Sequence, residues 1–105
     1  MEQPNLSEIN EISNGDTSFE ERMLSVIKRE FPIEKEQYFD CLKDKNLLKA
    51  AEFVHKLKHK VSIFGLEKGY GIATDYENNL KEGSYDLKED FEKVLKKITE
   101  YIKTL

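Results

Sequence analysis

One stretch, LLKAAEFVHKLKHKVSIFG, constrains the fold of this chain more than any other. Its apolar residues recur three or four positions apart, which is the spacing of a helix with one buried side. A strand would alternate at every second position, and no segment of the sequence sustains that alternation. The apolar positions of the stretch are Leu47, Ala50, Ala51, Val54, Leu57, Val61 and Phe64.

Helical spacing also occurs on both sides of this stretch. The sequence therefore predicts an all-α fold, an up-and-down four-helix bundle with a short extra N-terminal helix. Residues 1–5 have nothing to bury and are expected to be loose, and the bundle should occupy residues 6–105. The extra helix should end at Asn14, which precedes a glycine.

Prolines and capping residues predict where the other helices are interrupted. Pro32 should push Phe31 out of helical geometry, as a kink or as a true turn. Asn46 is a natural N-cap for the central helix, which begins at the next residue. Asp86, with Glu89 three residues later, resembles a capping pair for the last helix.

Length and charge restrict the class of protein. A chain of 105 residues is one domain, with 38% hydrophobic and 36% charged residues. Seventeen basic and twenty-one acidic residues give a net charge of −4, which argues against a general nucleic-acid binder. No apolar run is as long as a membrane span, and the single cysteine fits a reducing cytosol. We expect a soluble, cytoplasmic protein that does not bind membranes.

His55 lies at the edge of the apolar face of the central helix, about 100° round from Val54. Lys58, His59 and Ser62 follow three, four and seven positions later, so these polar side chains share one flank. An imidazole is largely neutral near pH 7 and is then nucleophilic. A half-exposed histidine with a cation one turn away is a plausible reactive site.

The run His55-Lys56-Leu57-Lys58, with Gly65 ten residues after the histidine, resembles the signature of histidine-containing phosphotransfer (HPt) domains. The typical family pattern is His-x-Leu-Lys-Gly, a short small or apolar run, and a Leu-Gly-like break. The likeness covers most of the chain as a pattern of helices, and only the segment from His55 to Gly65 is specific. It implies that this protein relays a phosphoryl group between receiver-domain aspartates in a two-component multistep phosphorelay.

The resemblance also implies roles for individual residues. His55 would be phosphorylated, Lys58 would balance the phosphoryl charge, and Gly65 would be structural. The expected partners are response-regulator receiver domains, a hybrid histidine kinase, or both, and the protein should be a monomer. It would be a phosphoryl carrier rather than an enzyme with its own turnover, without a cofactor, since magnesium would belong to the receiver. The residues expected to face partners are Glu52, Lys56, His59 and Ser62.

The sequence departs from the family pattern at His59 and Lys60, where HPt domains usually have glycine and a small residue. These side chains would add bulk beside the site that partners approach. The departures motivate an alternative function, a non-catalytic helical module that binds receivers or kinases without carrying phosphate. On the residues alone, His55 could also be an ordinary histidine on a helix surface.

Other patterns give weaker signals. His55 and His59 have the spacing of two zinc ligands on a helix, but no third ligand is recognisable, so we predict no metal site. Three glycines between residues 65 and 71 lack the Gly-Lys-Ser/Thr run of a phosphate loop. Glu77, near the inner side of its helix, should pair with a lysine or another polar group. Tyr70 and Tyr76 are expected to be core residues.

Overall fold

A computed structural model describes residues 2–105 and shows five helices, with no strand among those residues. This confirms the predicted all-helical fold class. Met1, part of the segment expected to be loose, lies outside the described residues. Within the described chain, no helix combines the length and the apolar character needed to cross a membrane. The helices are α1 (Ser7–Ser13), α2 (Thr17–Lys43), α3 (Leu47–Ile63), α4 (Glu67–Lys81) and α5 (Lys88–Ile102).

The central helix α3 packs against both α2 and α4, and these are the most extensive helix contacts in the molecule. Its predicted apolar face is the buried face: Val54, Leu57 and Val61 are completely buried. Each buried side chain of this size contributes about 1.5–3 kcal/mol relative to exposure. The alanines at positions 50 and 51 are also buried, and their small side chains allow close helix approach. The flank of α3 that bears His55 is therefore held rigidly.

Helix caps follow the predicted pattern at two boundaries. Asn14 ends α1 in a left-handed conformation with φ 49°, and Asn46 caps α3. The Asn46 side chain accepts a hydrogen bond from the backbone N–H of Lys49 at 3.2 Å. These caps depend on a residue and its nearest neighbours, which is why the sequence predicts them.

The expectation that Pro32 pushes Phe31 out of helical geometry was wrong, because Pro32 lies inside α2, a single helix of 27 residues. Phe31 stays helical and is 1% exposed, in the hydrophobic core. Pro32 itself is exposed, so its ring lies on the outer side of the helix. Burial of Phe31, and of other apolar residues earlier and later in α2, offsets the free-energy cost of the backbone hydrogen bond that proline cannot form.

The capping role predicted for Asp86 was also wrong. Leu87 takes the N-cap position of α5 in a left-handed conformation with φ 75°, and no side chain caps this helix. The Asp86 backbone N–H donates instead to the hydroxyl oxygen of Ser84 at 3.1 Å. The left-handed turn places Asp86 one residue outside the capping position. Glu89 remains in the first turn, where its charge complements the helix dipole.

A buried polar contact joins three helices. The hydroxyl groups of Tyr38 and Tyr76 lie 2.7 Å apart, and Tyr38 also donates to Glu92 at 3.1 Å. Burial raises the pKa of Tyr76 to about 12, so this hydroxyl stays protonated. Tyr76 is thus the predicted core residue, whereas Tyr70 is exposed and does not belong to the core.

The segment before α1 contacts the body of the protein. The backbone N–H of Asn5 donates to the carbonyl oxygen of Phe64 at 2.9 Å. The carboxylate of Glu2 accepts from the backbone N–H groups of Lys68 and Gly69, at 2.8 and 2.9 Å. Glu2 therefore caps the start of α4, where no nearby side chain does so.

Candidate functional site

His55 lies on α3 at the boundary between the core and the solvent. Val54, one residue earlier, is completely buried, whereas the His55 side chain is 52% exposed. The ring is therefore fixed at its base by a rigid helix and open at its tip. This position agrees with the helical geometry predicted from the apolar spacing.

The Nδ1 atom of His55 faces the carboxylate of Glu77 on α4, with distances of 3.1 Å to Oε1 and 3.2 Å to Oε2. A carboxylate accepts hydrogen bonds, so the single N–H of a neutral ring resides on Nδ1. Nε2 then keeps its lone pair. Among residues 2–105, no group hydrogen-bonds Nε2. The ring thus presents its nucleophilic nitrogen away from the core.

Glu77 is nearly buried and is surrounded by cations. Lys58 Nζ lies 3.2 Å from Oε1, and Lys81 Nζ lies 3.1 Å from Oε2. Burial, the largest single influence, would raise the pKa of Glu77, but hydrogen bonds from its three partners together hold that pKa below its ordinary value. The carboxylate therefore stays ionised at neutral pH, and the sequence-based expectation that Glu77 pairs with a lysine is confirmed.

The two lysines around Glu77 differ in their access to solvent. The Lys58 side chain is 11% exposed, and its ammonium lies 5.5 Å from the centre of the Tyr70 ring. The Lys81 side chain is 54% exposed. Lys58, the cation expected to balance a phosphoryl group, is thus held against Glu77. Lys81 is a second cation and lies on the solvent-exposed side of the same carboxylate.

All four residues expected to face partners are exposed on the surface of α3. Two of them, Glu52 and Lys56, line an open groove of about 550 Å³ together with His55. The side of this groove formed by α4 includes Glu77 and Lys81. The groove is open to solvent, which suits transient contact with another protein's surface better than enclosure of a small molecule. The residues concerned are Glu52, Lys56, His59 and Ser62.

The departures from the HPt pattern lie on different sides of α3. The His59 ring packs edge-on against the His55 ring, with centroids 5.0 Å apart. Lys60 is buried, and its ammonium binds Glu30 and Glu34 of α2 at 3.3 and 3.0 Å. Only His59 therefore adds bulk beside His55.

A second, apolar groove of about 510 Å³ lies between α2 and α3, next to His59. Phe19 and Val26 line it, and each is about two-fifths exposed. Ile63 of α3 closes the other side. Exposed apolar side chains in a groove between helices are typical of surfaces that bind other proteins.

Gly65 lies two residues after the end of α3, in a left-handed conformation with φ 76°. A β-carbon at this position would lie 2.7 Å from the Asn5 side-chain nitrogen, which is too close for a van der Waals contact. The left-handed backbone, more than this contact with a movable side chain, favours glycine at the turn between α3 and α4. The other two glycines of the region, Gly69 and Gly71, lie inside α4 and form no phosphate-binding loop.

Sequence reasoning did not identify Lys81 as a member of the site. The available signal was its position four residues after Glu77, the spacing at which helix side chains of opposite charge pair. That signal alone could not connect Lys81 with His55, because the connection depends on how α4 packs against α3. Within residues 2–105, no group of three or more histidine, cysteine or acidic side chains is arranged to hold a metal ion.

Comparisons of this chain with protein-family models, with curated proteins and with solved structures found no match. The resemblance to HPt domains therefore depends on the residues between His55 and Gly65. The functional interpretation depends on the contacts of His55 itself.

Proposed function

We propose that this protein is a cytoplasmic histidine phosphotransfer protein, in which His55 carries a phosphoryl group between receiver-domain aspartates of a multistep phosphorelay. The observation that carries the proposal is the contact between His55 and Glu77, which leaves Nε2 of a half-exposed ring free to react. The partners would be response-regulator receiver domains, a hybrid histidine kinase, or both. Magnesium would be held by the receiver.

The chemistry needs few groups from this chain. The lone pair of His55 Nε2 attacks the phosphorus of an aspartyl phosphate, a new N–P bond forms, and the P–O bond to the aspartate breaks. The aspartate leaves as a carboxylate, and the proton on Nδ1 stays where it is. The ring becomes positively charged in this step, and the ionised Glu77 at 3.1 Å stabilises that charge. The reverse sequence delivers the group to the next aspartate.

The proposed fold is an up-and-down four-helix bundle of α2 to α5, with α1 as the extra helix. Short connections at 44–46, 64–66 and 82–87 support this arrangement, since short loops join antiparallel neighbours. The bundle places His55 in the middle of α3, away from its ends. A receiver could then contact two helices at once.

The docking surface would comprise the exposed flank of α3 around His55. Glu52 and Lys56 carry opposite charges on this flank, so a partner surface with complementary charges would be oriented by them. Such encounters between carrier and receiver are transient and need only a modest area. We propose that the protein acts as a monomer. The docking residues would be Glu52, Lys56, His59 and Ser62.

Two phosphodonors test the proposal: phosphoramidate, and receiver domains charged with acetyl phosphate. The wild type should gain a phosphate that is labile in acid and stable in base, because a phosphorus–nitrogen bond has that chemistry. His55→Gln should gain none. His59→Gln is the matched control for phosphoramidate, a small donor that needs no docking surface. It removes a neighbouring exposed imidazole by the same substitution and should still be labelled by this donor. Equal labelling of His55→Gln would refute the assignment.

The second candidate function is a receiver- or kinase-binding module that carries no phosphate. The edge-on packing of His59 against His55 and the apolar groove beside it favour this candidate. One experiment distinguishes the two candidate functions. Binding of a receiver without modification of His55 by either phosphodonor would establish the module and exclude the carrier.

A further inference from the structure

We infer that Lys81 is the side chain that contacts the phosphoryl group carried by His55, an inference that rests on the proposed phosphotransfer function. The phosphoryl group would be bonded to Nε2, on the solvent side of the ring. Its negative charge needs a cation that can reach the solvent side. Lys81 and His55 line the same open groove, whereas Lys58 is not among the residues that line it.

The pairing around Glu77 allows Lys81 to move. If the Lys81 ammonium leaves Oε2, the Glu77 carboxylate still has Lys58 and His55 as partners, so no buried charge is left unpaired. Lys58 has no such freedom, because its side chain is 11% exposed and would have to leave its buried position. Lys58 therefore keeps Glu77 ionised, and Lys81 is available to the phosphoryl group.

The starting position of Lys81 is close to the reacting ring. Its ammonium lies 3.1 Å from Glu77 Oε2, and that same oxygen lies 3.2 Å from His55 Nδ1. Lys81 is the last residue of α4, and its side chain is about half exposed while it pairs with Glu77 one turn earlier. The four-carbon side chain of lysine is flexible, so we expect a change of rotamer, without movement of the helix, to bring the ammonium to the phosphoryl group.

The test uses phosphoramidate as donor and compares phosphorylation rates of the wild type, Lys81→Gln, Lys58→Gln and Lys68→Gln. Lys68 is the matched control, since it is an exposed lysine on the same helix, away from the groove. We expect Lys81→Gln to react about fivefold more slowly, the effect of one solvent-exposed charge at contact distance, and Lys68→Gln to react like the wild type. Lys81→Arg should restore most of the rate.

A second readout separates phosphoryl contact from a merely structural role. The wild-type rate should fall with added salt, and Lys81→Gln should lose much of that dependence because the screened charge is gone. Equal rates in the wild type and Lys81→Gln, or an unchanged salt dependence in Lys81→Gln, would overturn the inference while leaving the carrier function intact. A wild type that never becomes labelled would overturn both.

Discussion

Two buried lysines on α3 can be compared directly, because they lie two positions apart and pair with the helices on opposite sides of α3. The side chains of Lys58 and Lys60 are each 11% exposed. Lys58 forms its ion pair with α4, whereas Lys60 forms its ion pairs with α2. The burial of the two lysines is therefore the same, and the difference between their surroundings lies in the groups they pair with.

The charges around the two lysines differ in sign. On the α4 side, two lysines surround one glutamate, so the cluster has an excess cation. On the α2 side, two glutamates surround one lysine, so the cluster has an excess anion. Only the first cluster would attract a phosphoryl group. The members are Lys58, Lys81 and Glu77 in the first, and Lys60, Glu30 and Glu34 in the second.

The first cluster also contains a half-exposed imidazole. Glu77 connects that ring to the buried lysine, so the ion pair that joins α3 to α4 also fixes the tautomer of His55. No histidine is hydrogen-bonded to the Lys60 cluster within the described residues. The comparison teaches that two ion-pair clusters of equal burial differ in whether a partly exposed imidazole shares the carboxylate, and only the cluster with the imidazole would have a chemical role under the proposed function.

The largest expected effect comes from Glu77→Gln. This change leaves the Lys58 ammonium buried without a counterion and should lower the free energy of unfolding by about 2–3 kcal/mol. Phosphorylation of His55 should slow at least about tenfold, because the amide stabilises the charged ring poorly. Urea unfolding and a phosphoramidate assay measure the two effects.

A second substitution distinguishes the effect of Glu77→Gln on folding stability from its effect on the phosphorylation rate. Adding Lys58→Met to Glu77→Gln removes the unpaired ammonium and should recover most of the lost stability, since an apolar side chain replaces the buried charge. The phosphorylation rate should stay low. A double variant that recovers both would mean that Glu77 acts only through folding.

A smaller effect is expected from Lys60→Met on the opposite side of α3. The free energy of unfolding should fall by about 1–2 kcal/mol. Met fills the space and Glu30, which is nearly half exposed, returns to water, but the mostly buried Glu34 loses its ammonium partner. Phosphorylation of His55 should keep its wild-type rate. A rate clearly below that of the wild type would contradict the assignment of the two clusters to different roles.

The sequence predicts the helices well because their signals are local. The apolar spacing in α3 and the caps at Asn14 and Asn46 each depend on residues within a turn or two. The errors at Phe31 and Asp86 have non-local or conformational causes. Burial of Phe31 against other helices outweighs the cost of Pro32, and a left-handed Leu87 shifts the start of α5.

The candidate site shows the same division. Sequence spacing places His55 at the edge of the apolar face and expects Glu77 to have a lysine partner. It does not predict that the histidine and both lysines share this one carboxylate, since that depends on the packing of α3 against α4. Nor could it predict that Lys58 is buried while Lys81 is open to solvent.

The smallest expected effect is a pH dependence specific to the Glu77 cluster. The pKa of Glu77 is lower in the folded protein than its reference value of 4.5, so its ion pairs contribute full stability above that value. The contribution should be lost as the pH falls below 4.5 and through the lowered pKa, because the folded carboxyl then becomes protonated. The difference in unfolding free energy between the wild type and Glu77→Gln should therefore shrink in acid.

Urea unfolding at a series of pH values between about 3 and 7 measures this difference. Asp75→Asn, which removes an exposed carboxylate from the same helix, serves as the control for general charge effects. A difference that stays constant down to the lowest pH would show that the two lysines and the His55 hydrogen bond do not hold Glu77 ionised. That result would remove the reason for Glu77 to fix the Nδ1 proton of His55 and would make the two sides of α3 equivalent.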